Sequence, residues 1–161
     1  MMADSQEQTT DASALLIQNQ LCFPLYACSK EVVKRYTPLL DELDLTYTQY
    51  ITMMVLWDKR QISCKELGQI LYLDSGTITP LIKRLKAKGF VTTERLPEDE
   101  RIVIVTITDE GMVLRDKALS VPKQMTSCIS LEPEEAIELY RLLYKVLSGF
   151  EEKKSPENKE E

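Results

Sequence analysis

Histidine is the residue type that this sequence lacks altogether, and its absence excludes several kinds of site. The 161 residues contain no histidine, so neither a Ser-His-Asp triad nor a zinc site with imidazole ligands can form. The four cysteines include no C-x-x-C pair, the spacing that is typical of zinc knuckles. We therefore expect no metal centre, no cofactor and no enzyme active site built on the usual general base.

Long hydrophobic runs are also missing. No stretch approaches the roughly 18 to 20 apolar residues that a membrane span needs, and the acidic, glutamine-rich N-terminus does not resemble a signal peptide. The composition predicts a cytoplasmic protein with no membrane partner, whose cysteines the cytosol would keep reduced. Residues 1–12 and 151–161 are polar, have no apolar periodicity and are predicted to be disordered tails.

The net charge of -6 at first argues against nucleic acid as a partner, because phosphate contacts need lysine and arginine. Most of the excess negative charge, however, lies in the two terminal segments. Between residues 83 and 95 the chain is basic. The cations there are Lys83, Arg84, Lys86, Lys88 and Arg95, and the only acid is Glu94. Such a run is either a solvated helix face or a nucleic-acid contact.

Helical periodicity dominates the N-terminal part of the chain. Apolar residues recur at helical spacing over residues 13–36, which predicts a long amphipathic helix. A proline inside a helix removes a backbone hydrogen bond, so Pro24 predicts a bend close to Cys22. Pro38 is expected to open a second, short helix through Leu43, because proline is favoured in a first turn.

Start signals for three further helices follow. Thr46 with Gln49 and Ser63 with Glu66 form capping boxes, and Asp74 is an N-cap. The helix that begins after Asp74 should end at Gly89. Two β-branched runs then occupy residues 90–94 and 101–108 with a turn-rich loop between them, a pattern that predicts an antiparallel hairpin.

The order of these elements over residues 46–107 predicts a winged helix-turn-helix. In such a unit the second helix lies in the DNA major groove, and the hairpin is a wing that can reach the backbone. This context favours a DNA contact over a solvated face for the basic run. The side chains expected to face DNA on the second helix are Ser75, Thr77, Thr79, Lys83 and Arg84. A helix from Thr108 to about Gln124 and a last helix over residues 131–150 complete a mainly α fold with a small β-hairpin wing.

Residues 73–111 resemble the signature of the MarR family of transcription regulators, including its wing element Asp-x-Arg at Asp99 and Arg101. Residues 21–57 resemble the organic-hydroperoxide resistance (OhrR) branch of that family. The resemblance covers roughly residues 15–150. It implies a homodimer that binds palindromic operator DNA, with residues 13–45 (sensor helices) and 108–150 forming the dimerisation region.

The resemblance also implies the roles of individual residues. Cys22 would be the cysteine that reacts with organic hydroperoxide, and Tyr36 and Tyr47 would donate hydrogen bonds to its sulfur, with Tyr26 lining the same pocket. Cys128 matches the resolving cysteine of the two-cysteine members, which implies a disulfide to Cys22 of the partner subunit. Cys28 and Cys64 are outside this pattern, and we expect them to be small buried hydrophobes.

The spacing between Cys22 and Tyr36 sets a separate constraint. Fourteen residues on one continuous helix correspond to about 21 Å at 1.5 Å per residue. Either the bend at Pro24 and the turn before Pro38 fold the segment back, or Tyr36 comes from a second subunit.

The function predicted in this way is a repressor that binds DNA when reduced and releases it when Cys22 is oxidised. Two alternatives remain. In the first, a regulator with the same fold is released from DNA by a phenolic or anionic small molecule, and Cys22 is inert. In the second, the protein is a thiol peroxidase, whose first chemical step is the same oxidation of the cysteine by a peroxide. Arg101 is the wing residue expected to bind DNA, although the wing is poorer in arginine than is usual in the family. Asp99 is expected to orient Arg101 through a salt bridge rather than to touch DNA itself.

Overall fold

The computed structural model describes the backbone of residues 12–152 and the side chains of residues 13–150. The predicted tails therefore lie outside the described residues, apart from Ala12 and residues 151–152. The described part of the chain divides into two compact units, with the boundary between Lys123 and Gln124.

The N-terminal helix begins later and runs further than predicted. Two 3-10 turns, Ala12–Leu15 and Ile17–Asn19, precede the single helix α1, Cys22–Asp41. Pro24 does not interrupt α1, because it lies in the first turn, where backbone N–H groups have no helical partner in any case. Pro38 lies inside α1 and does not open a new helix. The predicted helix is confirmed over residues 22–36, whereas its start at residue 13, its bend and the separate second helix are wrong.

The three predicted helix starts of the winged unit are confirmed. Helix α2 is Tyr47–Lys59, α3 is Cys64–Leu71 and α4 is Ser75–Ala87. Capping boxes are present at the starts of α2 and α3, and the Thr77 N–H donates to Asp74 Oδ1 at 2.8 Å at the start of α4. Gly89 follows α4 with a φ of 79°, the left-handed conformation that favours glycine after a helix.

The predicted hairpin is confirmed and belongs to a three-stranded sheet. Strand β1 is Gln61–Ser63, β2 is Val91–Leu96 and β3 is Asp99–Ile107. The order is β1-β3-β2, all pairs are antiparallel, and Ile62 pairs with Val105. Sequence reasoning missed β1, whose three residues are too few for a period-2 pattern to stand out.

The core of the first unit lies between these helices and the sheet. Its fully buried side chains come from α1, α2, α3, α4, β2 and β3 and include Leu40, Met53, Leu56, Leu67, Leu85, Val91 and Val105. The chain continues into α5, Asp109–Ala118, and α6, Ser120–Thr126. The prediction of one helix from Thr108 to Gln124 is therefore wrong at Leu119, where the two helices are separated.

The second unit contains helix α7, Pro133–Glu152. Among its described side chains, residues 133–150, none is buried. Ile137 is 70% exposed and Tyr140 is 64% exposed. Apolar side chains at helical spacing along α7 are also exposed, namely Leu139, Leu142, Leu143 and Val146. Within residues 12–152, no helix has both the length and the apolar character of a membrane span.

Candidate nucleic-acid interface and cysteine site

Helix α4 separates an apolar face from a polar one. Ile78, Leu81, Ile82 and Leu85 are buried. The five side chains predicted to face DNA, Ser75, Thr77, Thr79, Lys83 and Arg84, are all exposed. Four buried residues at helical spacing fix the rotation of the helix on the core, so hydroxyls near its start and two cations in its third turn face solvent. Hydroxyl, lysine and arginine side chains are common phosphate and base-edge contacts.

The cations of α4 differ in what they contact. Lys86 Nζ donates to Thr93 Oγ1 of β2 at 2.9 Å, and Lys88 Nζ lies 2.9 Å from Asp44 Oδ2. Lys83 and Arg84 have no hydrogen-bond or ion-pair partner among the described residues. Of these four cations, Lys83 and Arg84 are the two that have all their donors available to an added ligand.

The wing has an internal ion pair. Arg101 Nε lies 3.0 Å from Asp99 Oδ1, Arg101 Nη2 donates to Asp99 Oδ2 at 3.2 Å, and the Arg101 backbone N–H donates to Asp99 Oδ1 at 3.1 Å. These hydrogen bonds from Arg101 lower the pKa of the Asp99 carboxyl. The expected salt bridge is therefore present, while contact of Arg101 with DNA stays a prediction.

Cys22 is the first residue of α1 and is exposed. Tyr26 follows four residues later, also exposed, and residues four apart on a helix lie on the same face. A thiol in the first turn lies near the positive end of the helix dipole. The first two turns of α1 thus present a thiol and a phenol on the same face, both exposed to solvent.

The other two predicted tyrosines lie in an aromatic cluster formed by Tyr36, Tyr47, Tyr50 and Trp57. The rings of Tyr36 and Tyr47 are 4.9 Å apart between centroids, and those of Tyr36 and Tyr50 are 5.8 Å apart. Burial and then the neighbouring Tyr47 raise the pKa of Tyr36. A raised pKa keeps the Tyr36 phenol protonated at neutral pH, so it remains a hydrogen-bond donor.

Sequence reasoning missed the continuation of this cluster towards α5. The rings of Tyr50 and Trp57 are 6.1 Å apart, and Trp57 Nε1 donates to the Gly111 carbonyl at 2.8 Å. The spacings Tyr47 to Tyr50 and Tyr50 to Trp57 are three and seven residues on one helix, which places the three rings on one face. That periodicity was the available signal for the ring contacts, but nothing local indicates Gly111.

The structure groups the predicted sensor residues in two pairs. Cys22 and Tyr26 share one face of α1, and the ring of Tyr36 packs beside that of Tyr47. Helix α1 is unbroken between Cys22 and Tyr36. The two residues of one chain are therefore about 21 Å apart along the helix axis. The expectation that the segment folds back is wrong, and the alternative with a second subunit stays open.

The remaining cysteines lie in different environments. Cys128 is exposed, and its Sγ lies 3.5 Å from the Gln124 carbonyl of the preceding turn. Cys28 is also exposed, so the expectation of a buried hydrophobe is wrong there. Cys64 is half-buried, and burial raises the pKa of its thiol, which disfavours the reactive thiolate.

Comparison with known proteins identifies the family. The model of the family described as Transcriptional regulator SarA/Rot matches residues 34–118. The organic hydroperoxide resistance transcriptional regulator of Bacillus subtilis (strain 168) is 41% identical over 137 residues, which cover 85% of this chain and 93% of that protein. The chain belongs to the SarA/Rot family of MarR-like winged-helix regulators. The resemblance predicted from residues 21–57 and 73–111 is therefore confirmed.

Solved structures similar to this SarA/Rot family member include AbfR of Staphylococcus epidermidis. The structure of reduced AbfR bound to DNA matches with a TM-score of 0.74 and 29% identity, over 87% of this chain and 96% of that one. The structure of disulfide-formed AbfR matches with a TM-score of 0.59 and 32% identity, over 84% and 95%. The winged-helix fold class is confirmed, and the protein is a transcription regulator of the redox-sensing OhrR and AbfR type.

Proposed function

We propose that this regulator is a cytoplasmic, homodimeric repressor that binds palindromic operator DNA when Cys22 is reduced and releases it when organic hydroperoxide oxidises Cys22. The observation that carries the proposal is the unbroken helix α1, with Cys22 in its first turn and Tyr36 about 21 Å further along. Two copies of α1 in antiparallel contact would bring Cys22 of one chain to Tyr36 and Tyr47 of the other. The sensor is therefore built from two chains.

DNA binding is supported by the outward face of α4 and by the DNA-bound structure of reduced AbfR. In a dimer, two copies of α4 would enter successive major grooves about 34 to 36 Å apart. Ser75, Thr77 and Thr79 would contact phosphates and base edges from the start of the helix. Lys83 and Arg84 would contact phosphates, Arg84 could also reach a guanine edge, and Arg101 of the wing would contact the backbone.

The proposed switch consists of two chemical steps, oxidation of Cys22 and formation of a disulfide. The sulfur of Cys22 attacks the outer oxygen of the hydroperoxide, the O–O bond breaks, and the thiol proton passes to the leaving alkoxide, so that an alcohol departs while Cys22 becomes a sulfenic acid. The Cys128 thiol of the partner subunit then attacks the Cys22 sulfur, a disulfide forms and water leaves. Tyr36 and Tyr47 of the partner subunit would donate hydrogen bonds to the sulfur in the first step.

Operator release tests the proposal. Reduced wild-type protein is titrated onto duplex DNA selected in vitro, then treated with cumene hydroperoxide. We expect binding to weaken by at least tenfold and to recover with dithiothreitol. Cys22→Ser should bind DNA and ignore the peroxide, whereas the matched variant Cys28→Ser, on the same helix, should respond like the wild type. Release of Cys22→Ser by hydroperoxide would refute the sensor assignment.

The disulfide step has its own test. Non-reducing gels of peroxide-treated wild type should show a covalent dimer, and Cys128→Ser should not form it. Cys64→Ser is the control, because its half-buried thiol has no assigned role. An undiminished covalent dimer in Cys128→Ser would contradict the assignment of the resolving cysteine.

The aromatic cluster favours one second candidate function. The ring centroid of Tyr36 lies 4.9 Å from that of Tyr47 and 5.8 Å from that of Tyr50, and tyrosine rings can stack on a phenolic ligand. Under this alternative, hydroxybenzoate would release Cys22→Ser from DNA as readily as wild type. Peroxide without added ligand would then have no effect on either protein.

A further inference from the structure

The basic run at the end of recognition helix α4 divides into two functional pairs. Lys83 and Arg84 are exposed and have no polar partner among the described residues. Lys86 and Lys88 instead contact two other elements, β2 and the turn between α1 and α2. A lysine that already has protein acceptors has fewer free donors and is restrained in position, so the four cations are not equivalent.

Lys88 is held more strongly than Lys86. Its Nζ lies 2.9 Å from Asp44 Oδ2 and also donates to the Asp44 backbone carbonyl. An ammonium group has three donors, so one residue occupies two of them. The Lys88 side chain is 26% exposed, compared with 82% for Asp44. Lys88 is also the C-cap of α4, so the contact holds the end of the recognition helix.

The turn that carries Asp44 is a fixed support for this contact. The N–H groups of Leu43 and Leu45 both donate to the Leu40 carbonyl at 3.0 Å, and both leucine side chains are buried. Asp44 itself has a φ of 51°, a left-handed conformation that aspartate tolerates better than most residues. The carbonyl and the carboxylate of Asp44 are thereby both directed to one partner.

We propose that Lys88 is a positioning residue that fixes the C-terminal end of α4 to the turn between α1 and α2, and that it is not a phosphate contact. The inference rests on the DNA binding proposed above. The same turn joins α1, which carries Tyr36, to α2, which begins at Tyr47. Lys88 therefore links the recognition helix to the segment that carries the sensor tyrosines.

Salt dependence separates a phosphate contact from a positioning contact. Each phosphate contact contributes about 0.9 to the slope of log affinity against log salt concentration. Lys83→Met should therefore reduce the slope by about one for each phosphate that the side chain binds, and it should weaken binding to operator and unrelated duplexes alike. Lys88→Met should leave the slope unchanged and weaken operator binding by about two- to fivefold, the range for an exposed ion pair.

The partner residue provides the matched variant. Asp44→Asn removes the carboxylate without touching any cation, and it should weaken operator binding by up to the effect of Lys88→Met, which also removes the contact with the Asp44 carbonyl. The double variant should bind no more weakly than Lys88→Met alone, because both substitutions break the same ion pair. All three should lower the ratio of operator binding to unrelated-DNA binding, since displacement of the reading helix disturbs base recognition before phosphate binding.

Two outcomes overturn the proposal. One is a slope reduced by about one in Lys88→Met with equally weakened binding to both duplexes, and the other is unchanged operator binding in Asp44→Asn. If the wild type binds no DNA at all, the proposed function fails instead. The link is then judged by thermal unfolding of the same four proteins, where additive destabilisation by Asp44→Asn and Lys88→Met would refute it.

Discussion

The winged unit and helix α7 differ in where they place their apolar side chains. In the winged unit, Leu56, Leu67 and Leu85 are fully buried by neighbouring elements of the same chain. On α7, by contrast, Ile137, Tyr140 and Phe150 are each at least 60% exposed. Exposed apolar surface on this scale marks an interaction site. In our proposal, the winged unit completes its core within one chain, and the apolar face of α7 packs against a second copy of the chain.

Of the substitutions considered, negative charge on the apolar face of α7 should have the largest effect, which is a loss of dimerisation. We expect Leu143→Glu with Val146→Glu to weaken dimerisation by at least ~100-fold, because each unpaired carboxylate in an apolar interface costs several kcal/mol. Sedimentation over a concentration series measures the effect, and operator binding should be abolished in parallel. Lys145→Glu, which makes the same change in net charge on the polar face, should leave the dimer intact. Dissociation by both variants would contradict an interface on that face.

Two glycine substitutions compare how tightly the winged unit and α7 are packed. A Cβ at Gly111 would collide with the Phe90 carbonyl and lie 2.8 Å from Ile107 Cγ1, whereas a Cβ at Gly149 of α7 meets nothing within 4 Å. Gly111→Ala should therefore lower the free energy of unfolding by about 1–3 kcal/mol. Gly149→Ala should raise it by up to about 1 kcal/mol, because alanine favours helix. Thermal or urea unfolding measures both free energies of unfolding. Equal changes in the two variants would contradict a difference in packing between the two regions.

The contact between Trp57 and Gly111 should have a smaller effect. Removal of the Nε1 donor in Trp57→Phe leaves the Gly111 carbonyl without that partner, which costs about 1–2 kcal/mol. The chain has one tryptophan, so its indole N–H gives a single NMR signal that should exchange slowly with solvent. Tyr50→Phe keeps the ring beside Trp57 and should leave that exchange slow. Exchange as fast as that of a free indole would contradict the hydrogen bond.

The wing ion pair should give the smallest effect. Because Arg101 lowers the pKa of Asp99, the pair contributes above the ordinary carboxyl pKa of about 3.9, and its contribution is lost as pH falls through the lowered value. Carbon NMR titration should show the Asp99 pKa rising towards its ordinary value in Arg101→Gln. Lys83→Met, which removes an equal charge from α4, should leave the Asp99 titration unchanged. A shift in both variants would mean that net charge, not the pair, sets the pKa.

Sequence reasoning succeeded where the signals were local. The capping boxes at Thr46 and Ser63 each involve a residue three positions later, and the hairpin needs only two β-branched runs and a turn. It failed at Pro24 and Pro38, because the effect of a proline depends on where the helix begins, and tertiary packing sets that start. It missed β1 because three residues carry no period of their own.

The functional residues divide in the same way. The outward placement of Ser75, Thr77 and Thr79 follows from the helical period of their apolar neighbours, and the structure agrees with it. The roles of Cys22, Cys128 and the tyrosines came from resemblance and stay predictions. The pairings of Trp57 with Gly111 and of Lys88 with Asp44 join residues 54 and 44 positions apart, and no local pattern in the sequence indicates such partners.

By itself, the sequence determined the winged-helix class, the regulator family and the outward face of α4, because caps, periodicity and turn residues act over a few positions. Only the tertiary structure decided that α1 is one helix, that Tyr36 lies with Tyr47 rather than with Cys22, and that Lys88 is held by Asp44. These features depend on packing between elements that are distant along the chain. The same packing separates a cysteine and a tyrosine that lie on one stretch of sequence, which is why the proposed sensor requires two chains.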